Sequence, residues 1–392
     1  MQNAAAAALT EIAARVMSPD ARALLRQLPA ELARRAPLWR QRVRLVAPAV
    51  TAPLRIAVAG YADLETHVSD LLQIKEAAGQ YPPLAAPDRP ADLALFSDWP
   101  LPGSLRVPVM LRTLVSLPGT LEATLAGLEP ELRRRLRRLA ERGSIEQVTD
   151  AASAARIHRD LMEPFARSRH EGRASIIPEA ELMRIARDHY LGVLRISGHE
   201  VAAQTGSPYV RNGNRTWCAL RFGYPSHIFG NPKALADANS LNAYYALKLA
   251  IDGGYQVLDF GTSIAAPMGG LLQFKRRRGG ELSTFGCPPP VWFRPPRGAQ
   301  DRFFWRWPLF SSGRGGLVLH VGAPASVTDD ALLARLKLLA FAGLGAVRLH
   351  AGRALSRSVL EAALRLFTSD GGAAHGRGSA RRIEVCDSAI AS

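Results

Sequence analysis

Three side chains near the middle of the chain are of the types that general acid–base catalysis uses. Asp259 lies in an apolar run, LDFG, where a carboxylate must be paired or have a perturbed pKa. It could accept a proton or orient an amine; the structural alternative is a carboxylate that caps the following loop. Tyr224 and His227 lie in YPSHIF, directly after a predicted strand. Either could act as an acid or a base, since imidazole titrates near neutral pH, although a lone histidine is more often structural.

A second group of residues could bind an anion at a helix end. Residues 239–252, NSLNAYYALKLAID, repeat apolar positions at a helical period, and Ser240 is predicted to be the N-cap. Free backbone amides at Asn239 and Ser240 would then hold a phosphate or a carboxylate. A plain capped helix is equally consistent with the pattern. Gly253 and Gly254 are predicted to end the helix, and a short apolar strand follows.

A predicted loop after that strand carries the cationic candidates. It contains the pair Phe274 and Lys275 and then a basic run that includes Arg276 and Arg278. The arginines could help to hold an anionic group, although exposed arginines and a solvated lysine are the usual outcome for a basic run. Open α/β sheets place their sites where strands end, so these side chains are expected near the end of the strand that carries Asp259.

The remaining sequence excludes several classes of protein. No HExxH, paired CxxC or Ser-His-Asp context occurs, so metal-dependent and serine hydrolysis have no support. The cysteines, Cys218, Cys287 and Cys386, are far apart and odd in number, which favours a reducing, cytoplasmic setting. The N-terminal run reads as an alanine-rich helix rather than a signal peptide, and no run of 18 apolar residues predicts a membrane span.

The chain of 392 residues has a formal net charge of +16, which permits an acidic partner without requiring one. Only five of its 50 basic residues are lysine, so the charge reflects a bias towards arginine as much as selection for a polyanion. Arginines are densest in 131–142, a predicted helix that closes at Gly143. Its arginines from Arg133 to Arg138 form either a solvated face or a face that binds phosphate or tRNA, because arginine matches phosphate oxygens bidentately.

Hydrophobic periodicity predicts an α/β protein. Residues 54–96 read as strand, helix and strand, and 120–142 as a helical region broken at Pro130. From 150 to 287 the order is helix, helix, three strands, helix and strand. Ser197-Gly198 joins the first two of those strands as a hairpin. Residues 317–367 read as a β-α-β-α block, and the tail after it is flexible in composition.

Four of these segments resemble the Gcn5-related N-acetyltransferase (GNAT) superfamily, and more closely its FemAB-like and BioF2-like acyltransferases. They are the arginine-rich helix closing at Gly143, the hairpin LRISGHEVAAQ, the helix-glycine-strand LKLAIDGGYQVLDFG, and the loop LLQFKRRRGGEL. The resemblance covers residues 105–287 well and 45–104 loosely, and it does not extend to 316–392.

The resemblance implies tandem GNAT-like domains with mixed, mostly antiparallel sheets flanked by helices, followed by the β-α-β-α block. The predicted divisions are a helical segment at 1–45, a degenerate first GNAT-like domain at 46–143, a second GNAT-like domain at 144–290, an aromatic and proline-rich linker at 291–315, and the C-terminal segment at 316–392.

One departure bears on the acyl donor. Ordinary GNAT enzymes carry an R/Q-x-x-G-x-G/A loop before the main helix to hold the pyrophosphate of coenzyme A. The matching stretch here is GNPKALADANS, which lacks that pattern, as FemAB-like proteins do. The resemblance therefore leaves both acyl-CoA and aminoacyl-tRNA open as co-substrates, and no permanently bound cofactor or metal is expected.

The resemblance also assigns a role to Lys275, since the matching lysine of FemAB-like ligases steadies negative charge on the substrate. With it, Asp259, His227 and Tyr224 form the predicted catalytic set. Those predicted to bind donor or substrate are Phe274, Asn239, Ser240, Arg276 and Arg278. The central expectation is that the capped helix tip and the Lys275 ammonium converge on one cleft.

The expected function is N-acyl transfer from acyl-CoA to an amine of a small molecule, a sugar or a cell-envelope precursor. One rival is aminoacyl or peptidyl transfer from charged tRNA. The other is a non-catalytic protein that binds an anionic glycan or nucleic acid.

Overall fold

The computed structural model describes residues 44–46, 55–59, 62–74, 93–98, 100, 103–170, 176–313, 315–368 and 382–387. The strands in these ranges are β1 Arg44–Val46, β2 Arg55–Ala59, β3 Leu93–Ser97, β4 Leu105–Val107, β5 Met110–Ser116, β6 Gly143–Gln147, β7 Tyr190–Ile196, β8 His199–Arg211, β9 Asn214–Gly223, β10 Val257–Ile264, β11 Glu281–Ser283, β12 Val291–Arg294, β13 Leu309–Gly313, β14 Gly316–Ala323, β15 Leu344–Ala351 and β16 Ile383–Asp387.

The helices are α1 Ala62–Leu72, α2 Leu121–Ala126, α3 Pro130–Arg142, α4 Ala151–Ile157, α5 Glu163–His170, α6 Glu179–Asp188, α7 Ser226–Phe229, α8 Pro232–Asp252, α9 Gly270–Arg276, α10 Gln300–Arg306, α11 Asp329–Leu338 and α12 Arg357–Thr368. A π-helical turn joins α4 to α5. No helix among the described residues is long and apolar enough to cross a membrane. The predictions for residues 1–43 and for most of the C-terminal tail lie outside these residues.

The chain divides into two compact units, of which the first contains residues 1–70, 74–104 and 291–297. In it β2 and β3 are parallel, as the predicted β-α-β start requires, with β1 antiparallel to β2 and β12 antiparallel to β3. Residues 291–294 were expected in a linker. They form a strand instead, because Val291 and Phe293 alternate inward and Phe293 packs on Phe96 with ring centroids 4.4 Å apart.

The second unit is built on a seven-stranded sheet in the order β11-β5-β10-β9-β8-β7-β6. Adjacent strands in this sheet are antiparallel, except for β9 and β10, which are parallel and are joined through α8. Helix α8 packs its alanines and leucines on one face of the sheet, against Trp217, Leu258 and Phe260. The π-helical turn and α6 pack on Leu191, Val193 and Ala203. This is the mixed, mostly antiparallel sheet flanked by helices that was predicted.

The expected division at residue 143 falls inside this unit. Strand β5 lies before that position, yet it pairs with β10, and Arg112 contacts Asp259 from 147 positions away. Periodicity along the chain reports local structure and carries no information on such distant pairing.

The predicted start of the central helix is wrong by two turns. Helix α8 begins at Pro232, and the side chain of Asn231 accepts hydrogen bonds from two amides of its first turn. Ser240 lies inside the helix, where its hydroxyl donates to the carbonyl of Ala236 at 2.7 Å. The predicted end is correct: Gly253 is the C-cap, and Gly254 takes the left-handed φ of 66°.

The C-terminal part of the second unit is a four-stranded sheet in the order β13-β14-β15-β16. The expected strand, helix, strand and helix are present as β14, α11, β15 and α12, with β16 added at the edge. Strands β14, β15 and β16 are parallel, and β13 is antiparallel to β14. Residues 300–306 and 309–313, also expected in the linker, form α10 and β13.

Candidate active site

The seven-stranded sheet opens between its two parallel strands. Residues 257–259 of β10 pair with 216–218 of β9, and the pairing stops there. Beyond this point β10 continues along β5 as far as Ile264, and β9 continues along β8 as far as Gly223. The register of β10 shifts between Asp259 and Thr262, and Gly261 in the shift has a φ of 70°, a conformation that favours glycine. Each strand therefore presents an edge to the opening.

Lys275 lies beside this bulge and is only 4% exposed. Its Nζ donates to the carbonyl oxygens of Gly261 at 3.0 Å and Thr262 at 3.1 Å. Burial lowers the pKa of Lys275 to about 7, and the nearby charge of Asp259 opposes that shift. Burial therefore makes the neutral form of the amine more accessible than it is in a solvated lysine.

The prediction that Phe274 and Lys275 lie in a loop is wrong, because both residues lie in α9. The helix starts after Gly269, and its Leu272 side chain is buried. This apolar contact holds the short helix in place before the chain turns at the glycines 279 and 280. Helix geometry then directs Lys275 to the bulge instead of solvent.

Asp259 is fully buried and accepts three hydrogen bonds. The donors are the guanidinium of Arg112, the hydroxyl of Tyr209 at 2.9 Å and the backbone amide of Gly261 at 2.7 Å. The bond from Gly261 is the loop-capping geometry that the sequence offered as an alternative to proton transfer. A carboxylate with three donors positions its neighbours and holds the bulge.

Arg112 and Tyr209 were missed by the sequence analysis. Arg112 lies on β5, and its guanidinium also donates to the carbonyl of Phe285 at 3.1 Å. Burial, followed by the hydrogen bond to Asp259, raises the pKa of Tyr209 to about 12, so its hydroxyl stays protonated. The sequence does contain a signal for the position of Tyr209, namely the turn at Asn212 and Gly213, which both have a positive φ in the structure. An Asn-Gly pair predicts a tight hairpin, which would have placed Tyr209 opposite Thr216 on β9, the strand that pairs with Asp259.

Arg278 forms a second buried cationic group and is also 4% exposed. Its Nη1 donates to the carbonyl of Phe274 at 2.8 Å, its Nη2 to the hydroxyl of Ser240 at 3.4 Å, and its Cζ lies 3.4 Å from the Phe274 ring centroid. Burial, reinforced by the charge of Arg135, lowers the pKa of Arg278 to about 9. Its Nε has no hydrogen-bond partner, and no described carboxylate lies within the 4.0 Å of an ion pair. A buried cation that lacks a carboxylate partner favours a bound anion.

Two further predicted residues meet inside the unit, on the α8 side. The hydroxyl of Tyr224 donates to Oδ1 of Asn239 at 2.5 Å and accepts from Nδ2 of Asn242 at 2.9 Å. The Oδ1 of Asn242 and both amide atoms of Gln204 are buried without a hydrogen-bond partner. Such orphaned polar atoms are rare in a packed core and mark a place where another polar group fits.

Two predicted residues take other positions. His227 is exposed on α7, and no described hydrogen bond joins it to Tyr224 or Asp259. Arg276 donates to Gln273 at 2.9 Å and to the carbonyl of Ala340 at 3.4 Å, so it packs against the segment after α11.

The expected convergence therefore takes a different form. The capped tip of α8 is at Asn231, two turns away from Ser240, so the backbone amides of Asn239 and Ser240 do not bind an anion there. Instead, the side chain of Ser240 contacts Arg278, three residues from Lys275. Helix α9 thus positions Lys275 at the bulge, and the residues just after it position Arg278 at the middle of α8.

No family model matches the chain, and no curated protein matches it. Solved structures are similar to it. FemX has a TM-score of 0.36 and 11% identity, over 64% of this chain and 83% of that one. L-PGS from Bacillus licheniformis has a TM-score of 0.33 and 12% identity, over 64% and 79%. A tandem GNAT protein from the clavulanic acid biosynthesis pathway has a TM-score of 0.29 and 13% identity, over 64% and 78%.

Because the TM-scores lie below 0.5, these likenesses assign no family and no reaction to the chain.

Proposed function

We propose that the chain is an N-acyltransferase that moves an acyl group from acyl-CoA to an amine. The observation that carries the proposal is the opening between β9 and β10, with Lys275 buried beside the bulge of β10 that borders it. An extended chain with amide groups can add to a strand edge through backbone hydrogen bonds. The arm of coenzyme A that carries the thioester is such a chain, and it would lie along the edge of β9 or β10.

Lys275 would act on the acyl carbonyl. Attack by a neutral amine on the thioester carbon places negative charge on that oxygen, and a fixed ammonium beside it stabilises the charge. Collapse of the adduct breaks the C–S bond, and the coenzyme A thiolate leaves with the proton that the amine nitrogen loses. Two N–H bonds of Lys275 go to Gly261 and Thr262, which fixes the position of the third. Asp259 would position this group indirectly, by holding the bulge through the amide of Gly261.

Arg278 would hold an anionic part of the substrate. Its guanidinium lacks a carboxylate partner among the described residues, and Ser240 and Tyr224 supply hydroxyl groups nearby. A phosphate or a carboxylate of the donor meets both requirements.

The proposal is tested by incubating the protein with a panel of acyl-CoAs, a panel of charged tRNAs and a mixture of amines, and identifying products by mass spectrometry. Products from acyl-CoA support the proposal. Products from charged tRNA alone would replace it with aminoacyl transfer. Binding of tRNA to the protein should then weaken steeply as the salt concentration rises. Absence of any product from either donor would leave the non-catalytic rival.

A further inference from the structure

A cavity of about 240 Å³ lies on the face of the sheet away from α8. Val115 and Leu258 face α8, so their neighbours Leu114, Ser116 and Val257 face the opposite side, where they line the cavity. The other lining residues are Arg211, Asn212, Asn214, Thr216, Glu281, Leu282 and Ser283. None of the predicted site residues is among them.

The β8–β9 hairpin bends over this face and forms one side of the cavity. Strand β8 is separated from β11 by three strands, a span of about 19 Å at ordinary strand spacing. Nevertheless Nη2 of Arg211 on β8 lies 3.5 Å from the hydroxyl of Ser283 on β11, and its Cζ lies 4.2 Å from the Phe285 ring centroid. An arginine side chain cannot cross that span unless the hairpin bends over the sheet.

Two opposite charges line the cavity without pairing. Glu281 and Arg211 are not joined within the 4.0 Å of an ion pair, and no described side chain donates to the Glu281 carboxylate. Both side chains line the same cavity, where burial raises the pKa of Glu281 and the charge of Arg211 opposes the shift. A half-buried carboxylate and a guanidinium that face one cavity favour a ligand carrying both a cation and an anion.

We propose that this cavity binds a free α-amino acid, with the ammonium on Glu281 and the carboxylate on Arg211. The amide and hydroxyl groups of Asn212, Asn214 and Thr216 supply further hydrogen bonds, while Leu114 and Val257 contact the aliphatic part. The volume of about 240 Å³ is enough for a molecule of this size.

The site is separate from the opening between β9 and β10 but close to it. Leu114 pairs with Asp259 on one side and with Glu281 on the other, so Glu281 lies two strand spacings, about 10 Å, from Asp259 on the same face. Binding of an amino acid does not depend on the transfer reaction and is measured without an acyl donor.

The test is calorimetric titration of the full chain with each of the proteinogenic L-α-amino acids, repeated with Glu281→Gln and Arg211→Met. We expect at least one amino acid to bind, and each substitution to weaken it by about tenfold or more, because each removes a charge-assisted hydrogen bond. Glu179→Gln, at an exposed helix start, is the matched control and should bind as the parent protein does.

Ligand derivatives keep the test decisive if a variant fails to fold. The N-acetyl derivative and the methyl ester of the bound amino acid each lose one charge, and both should bind the parent protein at least about tenfold more weakly. Absence of binding by every amino acid would overturn the proposal. Equal binding of the amino acid and its two derivatives, or by the parent protein and both charge variants, would also overturn it.

Discussion

At the scale of single residues, the candidate site depends on a lysine held by backbone oxygens rather than by a carboxylate. Lys275 donates to Gly261 and Thr262, and its nearest described acid, Asp259, already has three donors. The lysine is thus buried without a neutralising ion pair. Its pKa therefore falls, and its protonation becomes coupled to folding.

Replacing Lys275 by methionine tests this coupling through the pH dependence of stability. Lys275 has a pKa of about 7 in the folded chain and an ordinary pKa near 10.5 when unfolded, so the unfolded state binds the extra proton between these values. The free energy of unfolding of the parent protein should therefore fall as pH falls from about 10 to about 7, by up to about 1.4 kcal/mol per pH unit. Urea denaturation at several pH values should show that this component is missing in Lys275→Met.

Lys248→Met is the matched control, because the Lys248 side chain is 44% exposed and donates to Asp252 within one helix. Its pH profile should follow that of the parent protein over the same window. A Lys275→Met profile parallel to the parent from pH 10 to 7 would show that Lys275 titrates normally in the folded chain.

Asp259→Asn should destabilise the second unit by about 3 kcal/mol. The substitution leaves the guanidinium of Arg112 beside a neutral amide and removes one acceptor oxygen from a fully buried group. Urea denaturation measures the loss. Asp252→Asn, which removes an exposed ion pair of α8, should change stability by less than about 0.5 kcal/mol, and equal effects of the two would contradict the positioning role.

The sequence predicted part of this site. The strand that carries Asp259 and the cationic segment after it were found from local pattern, and the two lie together in the structure. Arg112 and Tyr209 were not found, because they reach Asp259 from strands whose pairing is set by the whole sheet. Arg278 was predicted as a binding residue, but its burial against Phe274 has no signature in a run of arginines.

At the scale of elements, the bulge in β10 determines where Lys275 binds. Gly261→Ala should destabilise the protein by about 1–2 kcal/mol, because the residue must keep a φ of 70°. Space is not the cause: a Cβ there would lie 3.9 Å from the nearest backbone oxygen, of Ala219. Gly270→Ala, in α9 with open space around it, should be neutral or stabilising, and thermal denaturation of both variants compares them.

The start of α8 gives a second test at this scale. Asn231→Ala removes the acceptor for the amides of Lys233 and Ala234 and should cost about 1 kcal/mol in urea denaturation. A loss below about 0.2 kcal/mol would contradict the cap at this position.

Helix limits were the least predictable feature of the elements. Ser240 is of a residue type that often caps helices. The residues before it are also helical, however, because Asn231 caps the helix and Pro232 occupies its first position. The loop predicted around Lys275 failed for a related reason, since a seven-residue helix is too short to show a clear period. Hairpins did better, because Ser197 and Gly198 take the positive φ values that the turn requires.

At the scale of the whole molecule, the fold class followed from pattern, whereas the domain limits did not. The alternation of helices and strands predicted an α/β protein, and the resemblance implied mixed sheets flanked by helices, which the structure has. The division at residue 143 was misplaced because β5 completes the sheet of the second unit from the far side of that point. A pairing between segments so distant in the chain is set by burial of both sheet faces, which a single sequence does not display.

The most direct test of the central claim is turnover of the parent protein and of Lys275→Ala with the acyl donor that gives product. Lys248→Ala serves as the matched lysine control. We expect Lys275→Ala to lower kcat/KM by about a hundredfold or more, the size expected when a group that stabilises developing negative charge is removed, while Lys248→Ala keeps the parent value. A folded Lys275→Ala protein with the full parent kcat/KM would contradict the account.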